Sequence, residues 1–540
     1  AGGRGRGGLA AVRPSEERVA MKIRSDIVAV YREVHSWAGI LAGLFLFVAF
    51  YAGAISMFEQ PIQAWLTPPA GLPAPVSLDR TPELMEKTFA AFPEARAHYT
   101  VVLAPDATQP GRLIWPKGGG GHGHGPAVSV AAALAPDGSV VTVTQAPSEA
   151  AHFIDELHQK IGLPLPHDVA MPIMGVVALV YAVALVSGVI AFLPALTRTL
   201  FAVRLEGGNA RAWLDLHNLF GFFSLPFHIV MAVTSVVFAF HEQIFAVQGH
   251  LFHQDRVPHV ARMAHGPEAA MPRPAAPLAP AELVAALARQ APGFVPDTLD
   301  YAMRPMGPGG RTLTLRVAGH DARFGLRGPV SGFAGLDPYT GRVISADYLP
   351  GQQSNGFAIV TAFFSLHFGS YGGAPVRFGY LVLGFGGAFL FYTGNRLWIM
   401  ARRRSERRTG AVTDTRGTWV LSRLTLGCTT GCMTGVAVVL AVAALLPGAS
   451  SYAVLSWVYY AVFLACVLGA FCLTARTGAP VLLLGTAAAN LVLAIVAGGL
   501  AAHGIGISGG IALTALLVAG CVAVPGVRGV AAGRVVQAAD

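Results

Sequence analysis

Charge is scarce in this 540-residue chain: Asp, Glu, Lys and Arg make up 12% of it, against 54% hydrophobic residues. Soluble domains carry about 25% charged residues, so the composition excludes an ordinary water-soluble protein and indicates a membrane protein. Cysteine is sparse too. Cys428, Cys432, Cys466, Cys472 and Cys521 all sit in apolar runs, so no disulfide framework is expected. Cys428 and Cys432, one helical turn apart, read as packing residues rather than a redox pair. No Walker loop, no GxGxxG after a strand and no Ser-His-Asp constellation occurs. No HxxxH or HxxE pair lies within an apolar run, which disfavours zinc or non-haem iron, whose sites mix His with carboxylates or thiolates at short spacing. The spans lack a buried acidic residue to couple ions, which weakens a transporter reading. The net charge of +9 does not point to nucleic acid, because the basic residues cluster beside apolar runs.

What is present is long apolar runs. Eight spans are expected, at Trp37–Phe58, Met171–Leu193, Leu216–Phe240, Val376–Met400, Trp419–Leu446, Val454–Thr474, Val481–Ala502 and Ile507–Val524. A bilayer takes about 20 residues of helix. Arg24 and Arg32, then Arg198, Arg204 and Arg211, then Arg402, Arg403, Arg404, Arg407 and Arg408, then Arg476, Arg528 and Arg534 mark alternate loops. Lys and Arg stay on the cytoplasmic side, which puts both termini there. The first 20 residues read as a disordered tail, Met21 could be the true start, and the first span reads as an uncleaved signal anchor.

The chain is also internally repeated. Leu214–Gln243 and His35–Gln60 each carry a His followed four residues later by Gly (Gly221, Gly39) and close on Glu-Gln. Leu157-His158 and Leu366-His367 each end a short helix, before a Gly or Pro break and a further span. Between the spans, helices at Thr81–Phe92 and Ala281–Gln290 precede strand-like runs and the turns Pro136-Asp137-Gly138 and Asp337–Gly341. The expected order is a cytoplasmic tail (1–30), a membrane helix (31–58), an external α+β domain (59–150), an outer-face helix and membrane helix (151–194) and a cytoplasmic loop (195–213). A membrane helix (214–241), a second external domain (242–355), an outer-face helix and membrane helix (356–400) and a basic loop (401–417) repeat the pattern. Four C-terminal membrane helices (418–526) and a cytoplasmic tail (527–540) complete it.

Histidines inside a membrane are costly and need a partner or a task. Bis-histidine haem takes one imidazole from each of two elements, and a two-fold repeat delivers such pairs. His35 with His217 is expected at the cytoplasmic side, and His158 with His367 at the outer side, as axial ligands of two haems. His228 is a fifth candidate that can replace either outer ligand. It lies 11 residues from His217, about 20° past three full turns, which would place both rings on one helix face about 16 Å apart. Gly39, Gly43, Gly53, Gly188 and Gly221 would let a flat macrocycle approach the backbone. Two haems across about 30 Å of hydrocarbon would pass single electrons. With no nucleotide domain, those electrons must come from another protein, a quinol or a diffusible flavin. His241, His250, His253, His259 and His265 belong to the second outer domain or its edge, and His503 reads as interfacial. His122 and His124, in the GGGGHGHG insert, read as solvated linker. Trp65, Trp115 and Tyr339 read as packing residues.

Arg32-Glu-Val-His35-Ser-Trp-Ala-Gly39, Leu157-His158, Asp215-Leu-His217-Asn-Leu-Phe-Gly221, Leu225-Pro-Phe-His228, Leu366-His367-Phe-Gly369 and the Asp337-Pro-Tyr-Thr-Gly341 turn together resemble the PepSY-associated transmembrane family, which includes inner-membrane ferric-siderophore reductases. The resemblance covers residues 30–400. It implies an α-helical integral membrane protein with a pseudo-two-fold four-helix haem-binding core and two small α+β PepSY-like external domains. It further implies b-type haem, location in the bacterial inner membrane, and reduction of ferric siderophore in the periplasm to release Fe(II). The four additional C-terminal membrane helices depart from that pattern, and the oligomeric state stays open. The alternative is a non-catalytic anchor whose external domains bind a periplasmic peptidase, a cell-wall component or a siderophore.

Overall fold

The computed structural model describes residue 2 and residues 24–118, 128–195, 209–241, 243, 276–305, 310–325, 331–474, 477–501 and 506–537. Met21, His122, His124, Arg198, Arg204, His250, His253, His259, His265, Arg476 and His503, and the side chain of Arg534, lie outside the described residues.

The first apolar run forms α1 (Ser25–Ser56), followed by the short α2 (Glu59–Leu66). The first external segment supplies α3 (Thr81–Ala91) and strands β1 (His98–Val102), β2 (Leu113–Pro116), β3 (Ser129–Leu134) and β4 (Val140–Gln145). Next come α4 (Ala150–Gln159) and α5 (His167–Phe192), separated by the Gly-Pro break. The second half begins with α6 (Asn209–Phe223) and α7 (Leu225–Ala239). It continues through α8 (Pro280–Gln290), β5 (Val295–Pro305), β6 (Arg311–His320), β7 (Gly332–Leu336), β8 (Val343–Tyr348), α9 (Asn355–Phe368) and α10 (Gly373–Arg408). The C-terminal helices are α11 (Arg416–Leu445), α12 (Tyr452–Cys472), α13 (Gly478–Ala501) and α14 (Gly506–Gln537).

Among the described residues, seven of these helices are long and apolar enough to cross a membrane. The remaining expected span, Leu216–Phe240, is not one straight helix. It is broken at Ser224 into α6 and α7, which meet at 67°. Pro226 in the first turn of α7 explains the break: it has no N–H to donate, and its ring would clash with a carbonyl one turn back. His217 and His228 therefore lie on different helices, and the shared-face expectation fails.

The two external segments are not separate domains. Their strands join edge to edge in one antiparallel sheet of order β4-β3-β2-β1-β5-β6-β7-β8. At the junction Thr100 pairs with Asp300, and Tyr99 stacks on Tyr301 at 4.7 Å. Asp300 accepts hydrogen bonds from His98 Nε2 at 3.0 Å and Thr100 Oγ1 at 2.9 Å. Burial raises the Asp300 carboxyl, but these hydrogen bonds, the His98 charge and nearby Arg316 outweigh burial and hold it below the ordinary carboxylate range. Leu84 of α3 and Leu283 and Leu287 of α8 are fully buried in the core over the sheet, which gives each half one helix and four strands.

α1 packs against α5 and α10, and α6 against α10. The C-terminal helices dock onto this core through α11, which touches α1, α4 and α10. Glu149 accepts a 2.5 Å hydrogen bond from Tyr452 N–H and so caps α12 from the core side. All five cysteines are free thiols, with Cys432 fully buried in α11.

Candidate functional site

Each histidine of the four expected ligands is held by a different element. α1 carries His35, whose Nδ1 donates to Ala184 O of α5 at 2.8 Å. His158, in the last turn of α4, donates from Nδ1 to Ala49 O of α1 at 2.8 Å. On α6, His217 Nδ1 lies 2.9 Å from Thr393 Oγ1, and on α9, His367 Nδ1 lies 2.7 Å from Thr234 Oγ1.

These bonds settle the tautomers. A backbone carbonyl can only accept, so His35 and His158 carry their proton on Nδ1. Thr393 and Thr234 each spend their hydroxyl proton on a backbone carbonyl of their own helix, Leu390 O at 2.8 Å and Val230 O at 2.6 Å. Their oxygens therefore accept from His217 and His367. All four Nε2 atoms are left with an in-plane lone pair, the ligating form of imidazole, and none has a hydrogen-bond partner among the described residues. Ala184 follows His158, and Thr393 follows His367, by the same 26 residues, so the two halves support their inner histidines from equivalent positions.

The rings meet in two pairs. His35 and His217 have ring centres 6.2 Å apart, and His158 and His367 are 6.0 Å apart. Metal–imidazole bonds of about 2.0 Å, with ring centres about 1.15 Å behind each nitrogen, put two trans imidazoles about 6.3 Å apart. Both pairs match that spacing. Among the described residues no group of three or more His, Cys, Asp or Glu could hold a metal ion. Each pair thus offers two imidazole nitrogens, and a metal held there would have to bring its remaining donors with it.

Small residues make the approach possible. A Cβ on Gly188 would lie 2.8 Å from His35 Nδ1, and one on Gly53 2.7 Å from His158 Nδ1. These two glycines admit the histidine rings themselves, whereas Gly43 faces Asn395, the nearest atom to a Cβ on Gly221 is 3.6 Å away on Leu390, and Gly39 faces open space. The His158–His367 pair opens on a narrow apolar cleft whose walls include Met57, Met174, Phe227, Met231 and Tyr380.

His228 joins neither pair, which corrects its expected role as a substitute ligand. It is fully buried, and its ring centre lies 5.4 Å from Phe50, 5.7 Å from Phe227 and 6.1 Å from Phe391. Its Nδ1 lies 2.5 Å from the Tyr181 hydroxyl, and Nε2 has no partner among the described residues. On α7 it precedes Thr234 by six residues, and on α10 the adjacent Gly387 precedes Thr393 by six. At 1.5 Å per residue that sets it about 9 Å from the level of each supporting threonine, between the pairs. His241 is exposed and bonds Phe238 O at 2.6 Å.

Thr234, Thr393 and Tyr181 were not legible as site residues. The only signal is a hydroxyl within an apolar span, and most such hydroxyls merely bond their own helix.

A family model for the PepSY-associated TM region matches residues 32–401, about two-thirds of the chain, and ends within α10. No curated protein matches the chain. Because that match takes in all four paired histidines and both halves of the sheet, the chain belongs to the PepSY-associated TM family.

Proposed function

We propose that this protein is a di-haem electron-transfer oxidoreductase of the bacterial inner membrane, which reduces ferric siderophore on the periplasmic side and releases Fe(II) for uptake. The observation that carries the proposal is the geometry of the two histidine pairs, each at trans-axial spacing with both Nδ1 atoms engaged and both Nε2 atoms free. A porphyrin would bring its own four nitrogen donors and would need two imidazoles from the protein, so the donor set fits haem b. When bound, a bis-histidine haem supplies an iron that exchanges single electrons without gaining an open coordination position.

The chain's own residues do the rest. Ala184 and Ala49 carbonyls and Thr393 and Thr234 hydroxyls orient the four rings and make their free nitrogens more basic. Phe, Met and Tyr side chains around the outer pair keep water from the buried path. The sheet lies where the outer-pair ends of the helices lead, and it is the surface to which a ferric siderophore would come. One electron delivered there converts Fe(III) to Fe(II), which the siderophore holds far more weakly.

The test is an optical spectrum of the full-length protein, purified in detergent after expression with ample haem. Sharp α and β bands on dithionite reduction, with two b haems per chain by pyridine haemochrome, are expected. A colourless protein would refute the proposal and leave the non-catalytic anchor.

A further inference from the structure

α10 and α11 flank a second cleft on the side of the inner histidine pair. Its walls include Tyr392, Arg396, Arg403, Asp414, Trp419 and Arg423. We propose that this cleft binds a phosphate-bearing flavin, the reduced form of which is the electron donor. The donor role rests on the electron-transfer function proposed above.

The charges in the cleft are not all spent. Arg403 is paired with Asp414 at 2.8 Å, and Asp414 also takes Arg407 at 3.0 Å. Arg423 donates to Ala470 O and Leu473 O at the end of α12. Arg396 has no hydrogen-bond or ion-pair partner among the described residues; its guanidinium lies 4.9 Å over the Trp213 ring. A guanidinium with its N–H fork free is suited to a phosphate. Trp419 and Tyr392 provide aromatic surface for a planar ring system.

The cleft adjoins the inner pair. Tyr392 precedes Thr393, the hydrogen-bond partner of His217. Trp213, 6.0 Å from Tyr392, is one helical turn before His217 on α6. A donor to a bis-imidazole centre must release electrons one at a time, which a flavin or a quinol does and a hydride donor does not. A neutral quinol has no use for the unpaired guanidinium of Arg396, so the cleft favours the anionic flavin. One dihydroflavin releases two electrons and two protons. That reduces two Fe(III) complexes to Fe(II), with the protons left in water on the side of the cleft. α11 lies beyond the family match, so the site depends on the added helices.

Flavin mononucleotide and riboflavin are titrated, by quenching of their fluorescence, into the full-length protein in phosphatidylcholine nanodiscs. Saturable binding of flavin mononucleotide is expected, at least about tenfold tighter than riboflavin, since hydrogen bonds to a charged group contribute at least that much. Arg396→Gln should remove that preference, and Trp419→Leu should weaken both ligands. Equal affinities, or a preference that survives Arg396→Gln, overturn the inference. Displacement of the nucleotide by phosphatidylglycerol in the nanodisc assigns the cleft to a lipid headgroup and overturns it as well. The haem spectrum is recorded on the same samples. A normal spectrum without flavin binding sinks this inference alone, whereas a colourless protein sinks the electron-transfer proposal, whatever the flavin does.

Discussion

Thr393→Val removes one oxygen and leaves the shape of the side chain. Thr393 is fully buried on α10, and its Oγ1 is the 2.9 Å acceptor for His217 Nδ1. Without it the Nδ1–H is left unpaired in an apolar interior, at a cost of about 1–3 kcal/mol. Losing such a support to a metal-bound histidine lowers metal affinity by about 10–100-fold. At limiting haem the variant should therefore retain the outer haem and fall toward one haem per chain. At saturating haem a second effect appears. A less basic imidazole stabilises the ferric state less than the ferrous one, so the inner midpoint potential should rise, by about 59 mV for each tenfold difference between the two states. Thr393→Ser should restore both properties. Thr234→Val is the internal comparison, since it supports His367 and should move only the outer haem. The assays are pyridine haemochrome stoichiometry and a spectroelectrochemical titration. If Thr393→Val matches the unmodified protein in both, the hydrogen bond does not support a ligand and the inner pair is not a haem site.

Replacing either member of a pair by Ala should abolish the same haem, so His35→Ala and His217→Ala give one spectrum and His158→Ala and His367→Ala another. His228→Ala should keep two haems, because its ring faces Phe50, Phe227 and Phe391 rather than a second imidazole; loss of a haem would reinstate it as a ligand. Gly53→Ala and Gly188→Ala each place a methyl within 2.8 Å of a histidine nitrogen. They should displace His158 and His35 at an overpacking cost of about 1–3 kcal/mol, read as loss of the outer and inner haem respectively. Asp300 sits below its ordinary pKa, so its contribution to the β1–β5 junction is present above the unfolded carboxylate value and is lost as pH falls through the folded one. Amide exchange at β1 and β5 should accelerate as the pH is lowered below about 4, once corrected for intrinsic exchange, and Asp300→Asn should flatten that dependence.

Along the chain, hydropathy and turn chemistry were enough to locate the spans, the internal repeat and the helix-and-strand content of both external segments. α3 begins at Thr81 and α8 ends at Gln290, as their amphipathic patterns predict. The pairing of His35 with His217 and of His158 with His367 was also legible, because equivalent residues of a two-fold repeat meet across its axis. Three features were not. The phase of His217 and His228 assumed a straight helix, and Pro226 broke it. Nothing local says that β1 would choose β5 as its neighbour, since Thr100 and Asp300 are 200 residues apart and either edge could have stayed open. The supporting hydroxyls of Thr234 and Thr393, and the cleft between α10 and α11, exist only once distant helices pack. Periodicity and polarity are properties of neighbouring residues, so the sequence by itself determined what each segment becomes. Which segments touch depends on closing long loops against competing partners, and that the tertiary structure alone decided.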